Sequence, residues 1–211
     1  MKKTLILFSS ALLILSSCVS NPEGEKAETS DATKISATAE GKSLAIDTAA
    51  SELKWHGKKV SGEHYGVVDI KSGQLLMTEE GKIAGGDFVI DMNSIDVQDM
   101  DPGEFRDKLT GHLKSADFFD VENHGEATFA ITEVKEGATA NDLTVSGNLT
   151  IRGTTKNITF NATASELSAE SAQIEADFNI AREDWGVNYS GKQDDLISKE
   201  INFKIKLVAK S

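Results

Sequence analysis

Cysteine is all but missing from this chain: among 211 residues it occurs once, at Cys18, which excludes an internal disulfide. Positive charge is in deficit, with 22 Lys and Arg against 34 Asp and Glu and a net charge of −12. A surface that acidic repels phosphate, so no nucleic-acid partner is expected. Long apolar runs are lacking too. Leu5 to Leu15 is interrupted by Ser9 and Ser10 and falls short of the roughly 20 residues that span a bilayer. There is no Gly-x-Ser-x-Gly, no phosphate-binding loop and no spare Cys nucleophile, so catalysis has no motif to rest on and no enzyme is expected. The four histidines, His56, His64, His112 and His124, lack the i,i+2 strand or i,i+4 helix spacing that preforms a metal site. Only an assembly from distant segments stays open for a metal. Asp194 and Asp195 are adjacent, so on a strand they point apart and on a turn they are solvated, which argues against an acid–base pair.

What is present begins with an export segment. Met1-Lys2-Lys3 is a positive start, the apolar run follows, and Leu15-Ser16-Ser17-Cys18 resembles the bacterial lipoprotein lipobox. Residues 1–17 are then a signal peptide, and Cys18 is expected to carry the lipid that ties the protein to a membrane. Val19 stands where Asp would signal inner-membrane retention in enteric bacteria, which points to the outer membrane, facing the periplasm. From residue 18 to 43 the chain is rich in Ser, Thr, Ala, Glu and Lys and contains Pro22; this reads as a flexible tether outside the fold. Residues 44–211 remain for one domain with a sizeable core.

In that domain the hydrophobic period is close to two. Phe88, Ile90 and Met92 alternate with Asp87, Val89 and Asp91, and Gly85-Gly86 before them suggests a bend or bulge. The same alternation runs through Ala127–Ile131, Leu143–Ile151, Ile158–Ala162, Ile174–Ile180 and Ile201–Leu207. One-sided antiparallel strands, apolar inward and polar outward, give this pattern. Ser72-Gly73, Glu80-Gly81, Glu136-Gly137, Asn141-Asp142 and Arg152-Gly153 mark turns. About eight strands result, in a sandwich or, because the connections are short, a closed up-and-down barrel. One stretch breaks the period. Asp101 as cap, Pro102 at the first position and Glu104 reaching back open a helix around Pro102–Leu113, with Phe105, Leu109 and Leu113 on one face. With Phe118 and Phe119 it forms a fixed plug or a lid at the mouth of the β-structure.

Several segments carry a family resemblance. His112-Leu113-Lys114-Ser115-Ala116-Asp117-Phe118-Phe119-Asp120-Val121 leads into His124-Gly125-Glu126-Ala127-Thr128-Phe129. Gly147–Lys156 reads Gly-Asn-Leu-Thr-Ile-Arg-Gly-Thr-Thr-Lys, and Arg182–Val187 and Asp194–Ile197 follow. Together they resemble the YceI-like proteins over about Leu44 to Ala209, with Gly125 where that family usually has Pro. The resemblance implies an all-β, lipocalin-like antiparallel barrel with an apolar tunnel that holds a long isoprenoid or quinone-like lipid, and no required cofactor. Wall candidates are Phe88, Ile90, Phe129, Leu149, Ile151, Phe160, Phe178, Ile180 and Phe203. Arg182 and Trp185 are candidates for the rim, Arg182 for a headgroup or for pairing with a nearby carboxylate. The alternative is a barrel filled by its own side chains that serves as an envelope interaction module.

The expected anchor has a direct test. Cys18→Ser leaves the protein unlipidated and out of the membrane fraction, as read by fatty-acid labelling and fractionation; persistence in membranes contradicts the assignment.

Overall fold

The computed structural model describes residues 19–35 and 41–211, so Cys18 and the signal segment lie outside the described residues. In chain order the elements are β1 (Glu25–Lys26), β2 (Glu28–Asp31), β3 (Lys42–Ile46), β4 (Glu52–Lys59), β5 (Gly62–Met77), β6 (Ile83–Val97), α1 (Glu104–Lys114), β7 (Glu126–Glu136), β8 (Asp142–Ile151), β9 (Thr154–Leu167), β10 (Ser171–Ala181), β11 (Gly191–Lys192) and β12 (Asp195–Lys210). A single 3₁₀ turn occupies Arg182–Trp185. β3 and β4 are two halves of one stave, because both lie between β12 and β5. From there each strand pairs antiparallel with the next, β5 through β10, and β10 pairs with β12. The return of β12 to β3 and β4 closes the sheet into an eight-stave antiparallel barrel, lipocalin-like, with one short helix.

The alternation fixes which side is inside. Along β10, Phe178 and Ile180 are buried in the core while Asp177 between its apolar neighbours stays outward, bound to Lys204 on β12. The core has two halves. Ile90, Met92, Leu113, Phe118, Val121, Ile151, Phe178 and Trp185 pack at the helix end; Leu44, Leu75, Met77, Ile131, Leu143 and Ala209 pack at the far end. Phe129, Phe160, Ala176 and Ile205 touch both halves.

Three expectations need correction. Ser72-Gly73 is no turn but lies inside β5, just after a register shift between Ile70 and Ser72; the bulge lets a 16-residue strand curve around the barrel. A second shift, between Leu76 and Met77, falls opposite Ala84, beside Gly85-Gly86. The helix starts at Glu104, after Gly103, without a side-chain cap, so Asp101 does not cap it. The 18–43 stretch is not wholly outside the fold. Glu25–Asp31 forms β1 and β2 and pairs with β10 and β9, because those two strands diverge and their free N–H and C=O groups need partners.

The helix end is fastened by an arginine at a turn. Arg152 (φ 52°) and Gly153 (φ 73°) form the two-residue hairpin between β8 and β9. The Arg152 guanidinium donates to the Phe118 carbonyl (2.8 Å), the Ala116 carbonyl (2.8 Å) and the Gly186 carbonyl (3.2 Å). It therefore ties the segment after α1 to the barrel rim. Arg152→Asn keeps a residue tolerant of positive φ but removes the fork. Hydrogen exchange at Phe118, Phe119, Asp120 and Val121 should then accelerate by roughly 5- to 150-fold, the equivalent of about 1–3 kcal/mol of lost hydrogen bonding. Unchanged protection there would show the segment is held by packing alone.

Candidate functional site

Five phenylalanines meet around the waist of the barrel. Phe88 on β6 lies 6.2 Å from Phe129 on β7, Phe129 lies 5.8 Å from Phe160 on β9, Phe160 stacks 4.1 Å from Phe178 on β10, and Phe178 lies 6.2 Å from Phe203 on β12. β8 contributes no ring to this belt. Its inward position is Gly147, and a Cβ there would collide with the Phe129 ring. The glycine lets Phe129 lie across β8 and reach Phe160.

The belt does not fill the tube. A cavity of about 210 Å³ runs along the interior, touched by rings of the belt and by side chains from both core halves. Phe129, Leu149, Phe160 and Phe203 line it and are only partly buried, although they point inward. Around it the wall is almost wholly hydrocarbon or aromatic. The exceptions are Glu200, whose carboxylate already accepts from Asn179 Nδ2 (3.0 Å) and faces Lys26 Nζ (3.7 Å), and Trp55, whose indole N–H is buried without a partner among the described residues. An engineered apolar void of about 150 Å³ stays dry and accepts benzene. This cavity is larger and, apart from Glu200 and the Trp55 N–H, as apolar, so it can take a hydrocarbon guest.

Of the nine wall candidates, Phe88, Ile90, Phe129, Leu149, Ile151, Phe160, Phe178 and Phe203 line the cavity. Ile180 is a correction: it is buried in the core at the helix end and does not line it. Among the lid candidates Leu113, Phe118 and Phe119 close one end of the space, and Leu109 packs behind them. Phe105 does not belong there; it is 76% exposed. The helix is docked through Arg106, whose Nη2 donates to both carboxylate oxygens of Asp96 (2.6 and 2.7 Å), and that contact turns Phe105 outward.

The end is a packed plug rather than a loose cover. Phe118 is buried, meets Phe119 and His112 edge-on at 5.2 and 5.8 Å, and has the Arg182 guanidinium 5.7 Å from its ring centroid. Arg182 is not at the rim. It is buried, its Nε donates to the Ser198 carbonyl (2.9 Å) and its Nη1 to the Val187 carbonyl (2.5 Å). Desolvation lowers its pKa from the ordinary value, and it forms no ion pair among the described residues. A guanidinium spent on backbone carbonyls is not free for a headgroup. Trp185 is likewise internal, its Nε1 donating to the Leu149 carbonyl (3.0 Å).

The histidines serve locally: His56 contacts Glu63 (3.2 Å), His64 contacts Asp99 (2.8 Å), and His124 lies 3.9 Å from Asp120. Among the described residues no three metal-ligating side chains converge. Asp195 is held by Lys59 Nζ (2.9 Å) and the Ser61 N–H (2.9 Å), which push its pKa down to about 2 and fix the β4–β5 tip to β12. Wall residues missed from sequence include Leu53 and Trp55 of β4, Val68 and Ile70 of β5, and Met92 and Ile95 of β6. The parity Leu53, Trp55, Gly57 was the available signal, but only two apolar residues carry it.

Comparison with known proteins agrees with this architecture. A UPF0312 protein of Enterobacter sp. (strain 638) is 37% identical over 99 residues, 46% of this chain and 47% of that protein. A UPF0312 protein of Yersinia enterocolitica is 33% identical over 132 residues, 58% of this chain and 62% of the relative. The chain thus spans about half the length of the first and somewhat more of the second. Among solved structures, BcnA of Burkholderia cenocepacia superposes with a TM-score of 0.63 at 20% identity, covering 78% of this chain and 99% of that one. A polyisoprenoid-binding domain from Saccharophagus degradans, implicated in plant cell wall breakdown, gives 0.57 at 17% identity, with 80% and 98% coverage. These likenesses establish the shared barrel fold. With the YceI-like domain matched over residues 44–209, the chain belongs to the YceI-like family.

Proposed function

We propose that this barrel binds a long apolar or amphiphilic molecule, of the polyisoprenoid or quinone-like class, for carriage, storage or protection in the cell envelope. The observation that carries the reading is the 210 Å³ cavity behind a phenylalanine belt, with an interior almost devoid of polar groups. Such a wall offers a guest little except removal from water, since the one carboxylate that reaches it, Glu200, is already paired with Asn179 and Lys26. The lining therefore supports binding without chemistry as the reading. The polyisoprenoid-binding domain that shares the fold supports the choice of ligand class.

Magnitudes favour a long chain over a compact solute. Each methylene taken out of water contributes about 0.8 kcal/mol. Association itself costs about 4–15 kcal/mol. Micromolar affinity, about −8 kcal/mol, then needs roughly fifteen to thirty methylenes, since no hydrogen bond adds to the total. A chain of that length would run along the bore past the phenylalanine belt, since the cavity touches side chains of both core halves. With Arg182 committed to the backbone, the head of the guest stays outside the barrel. Cys18, as a lipidated residue, would hold the protein at the outer membrane on its periplasmic face, next to a store of such molecules.

Organic extraction of the purified protein followed by mass spectrometry should recover a stoichiometric long-chain lipid, or the stripped protein should take up geranylgeraniol when it is offered. Ala176 on β10 lines the cavity, and Ala176→Phe fills it. That variant should melt about 2–12 °C below the parent, since overpacking costs about 1–3 kcal/mol, and bind geranylgeraniol at least about 10-fold more weakly. Recovery of no lipid together with no uptake by the parent would favour a filled interaction module. Undiminished uptake by Ala176→Phe would place the guest elsewhere.

A further inference from the structure

β9 and β10 part company early. They pair only between Leu167–Ala162 and Ala172–Ala176, yet β10 runs on to Ala181 and β9 starts back at Thr154. Into the opening comes the N-terminal segment. β1 runs parallel to β10, with Glu25 opposite Phe178 and Lys26 opposite Asn179. β2 then runs antiparallel to β9, from Glu28 opposite Thr159 to Asp31 opposite Lys156. Gly24, at φ 139° and pressed against the side chains of Asn179 and Asn202, makes the bend that brings the chain into the gap. The segment is a short extra stave that completes the wall.

Its inner side is thin. Ala27 is the one buried residue between Glu25 and Asp31, and the Thr29 hydroxyl is buried without a hydrogen-bond partner among the described residues. Directly across the seam stand Phe160 of β9 and Phe178 of β10, stacked at 4.1 Å with ring planes 16° apart, and both line the cavity. The seam therefore has an outer leaf of backbone and an inner leaf of two rings.

The outer leaf is held by polar contacts. The Thr33 N–H and carbonyl pair with the Asn148 amide at 3.0 and 2.6 Å, Ser198 Oγ donates to Asn21 Oδ1 (2.9 Å), and Asn179 Nδ2 donates to the Pro22 carbonyl (2.9 Å). Two ion pairs help, Lys156 with Asp31 (3.0 Å) and Lys26 with Glu200 (3.7 Å), and each has one well-exposed partner. Exposed pairs contribute little, and a strand with hardly any buried hydrocarbon opens at low free energy. The helix end is the opposite case, with Leu113, Phe118 and Val121 buried and the Arg152 fork across it.

We propose that the guest enters and leaves through this seam. Glu25–Asp31 peels off β9 and β10, Phe160 and Phe178 separate, and an apolar chain slides in sideways with its head left outside. Water replaces the strand-edge hydrogen bonds while the stave is away, so no backbone group is left unpaired in an apolar setting. A sideways route also suits a long chain, which need not be threaded end-first past a packed plug. The inference rests on the reading of the cavity as a lipid site.

A cross-strand lock tests it. Glu28 and Thr159 are directly opposite, and antiparallel neighbours of this kind have Cα separations of about 4.5–5.5 Å, within disulfide reach. Glu28→Cys and Thr159→Cys are introduced into the full chain bearing Cys18→Ser, and uptake of the apolar fluorophore N-phenyl-1-naphthylamine is followed by stopped flow. The oxidised form should load at least about 10-fold more slowly than the same protein reduced. Equal rates overturn the seam. Should the pair not fold, Lys26→Ala with Lys156→Ala removes both ion pairs and should speed loading by about 2- to 10-fold. Arg152→Asn, which loosens the helix end instead, should leave the rate unchanged; acceleration by Arg152→Asn without acceleration by the lysine changes makes the end the route and overturns the seam. Uptake by no form at all, the parent included, removes the lipid-site reading itself, whereas uptake at equal rates removes only the seam.

Discussion

Backbone hydrogen bonds from β10 to β12, and from β12 on to β3 and β4, turn an open sheet into a tube, and the tube gives the two faces of every strand their meaning. On an open sheet an apolar face needs a second layer to cover it. Closed on itself, the sheet covers its own face, and the space left over depends only on the size of the inward side chains. Here those side chains are large where rings meet at the waist and absent at Gly147 between them. Phenylalanine rings do not tile a cylinder without remainder. The cavity is that remainder, almost wholly apolar because the alternation holds nearly throughout; Glu200, beside the shift in β12 between Ile197 and Ile201, is the exception.

Much of this was legible in the sequence because alternation is a local signal. Phe88-x-Ile90, Leu149-x-Ile151 and Phe178-x-Ile180 each declare an inner face within a few residues, and the closed barrel follows from their number and short links. Ile180 shows the limit. It has the right parity but sits beyond the cavity, among Trp185 and Val187, and parity carries no information about height along the axis. Phe105 failed for a similar reason. The four-residue repeat put it with Leu109 and Leu113, but the helix angle was decided by Arg106 finding Asp96 across a loop.

The N-terminal segment was illegible for a deeper reason. A strand recruited to fill a gap in a wall is chosen by the hydrogen-bonding needs of its neighbours, which any backbone can meet. Its side chains need not alternate, and Glu25–Asp31 reads Glu-Lys-Ala-Glu-Thr-Ser-Asp, as polar as a linker. The demand for it is written in β9 and β10, whose divergence no residue of 25–31 announces. The buried amides behave alike. Asn179 and Asn202 face outward from β10 and β12 yet are covered, since the chain bends over them at Gly24.

The two arginines show how the barrel separates greasy space from charge. Arg152 and Arg182 both lie at the helix end, and both spend their donors on carbonyls of turns and loop segments or, at Ser198, of the irregular stretch of β12 between Ile197 and Ile201. A cation in this role satisfies backbone acceptors where the ladder stops or is irregular, and the charge of Arg182 is also dispersed over the Phe118 ring. The same groups could have faced inward to grip an anion, and then the interior would need water or a counter-charge to accompany them. Turned towards the backbone, they bring no charge of their own into the cavity. If the cavity holds the proposed lipid, selection among guests falls to the length and flexibility of the hydrocarbon, which a bore lined by rings and aliphatic side chains can measure.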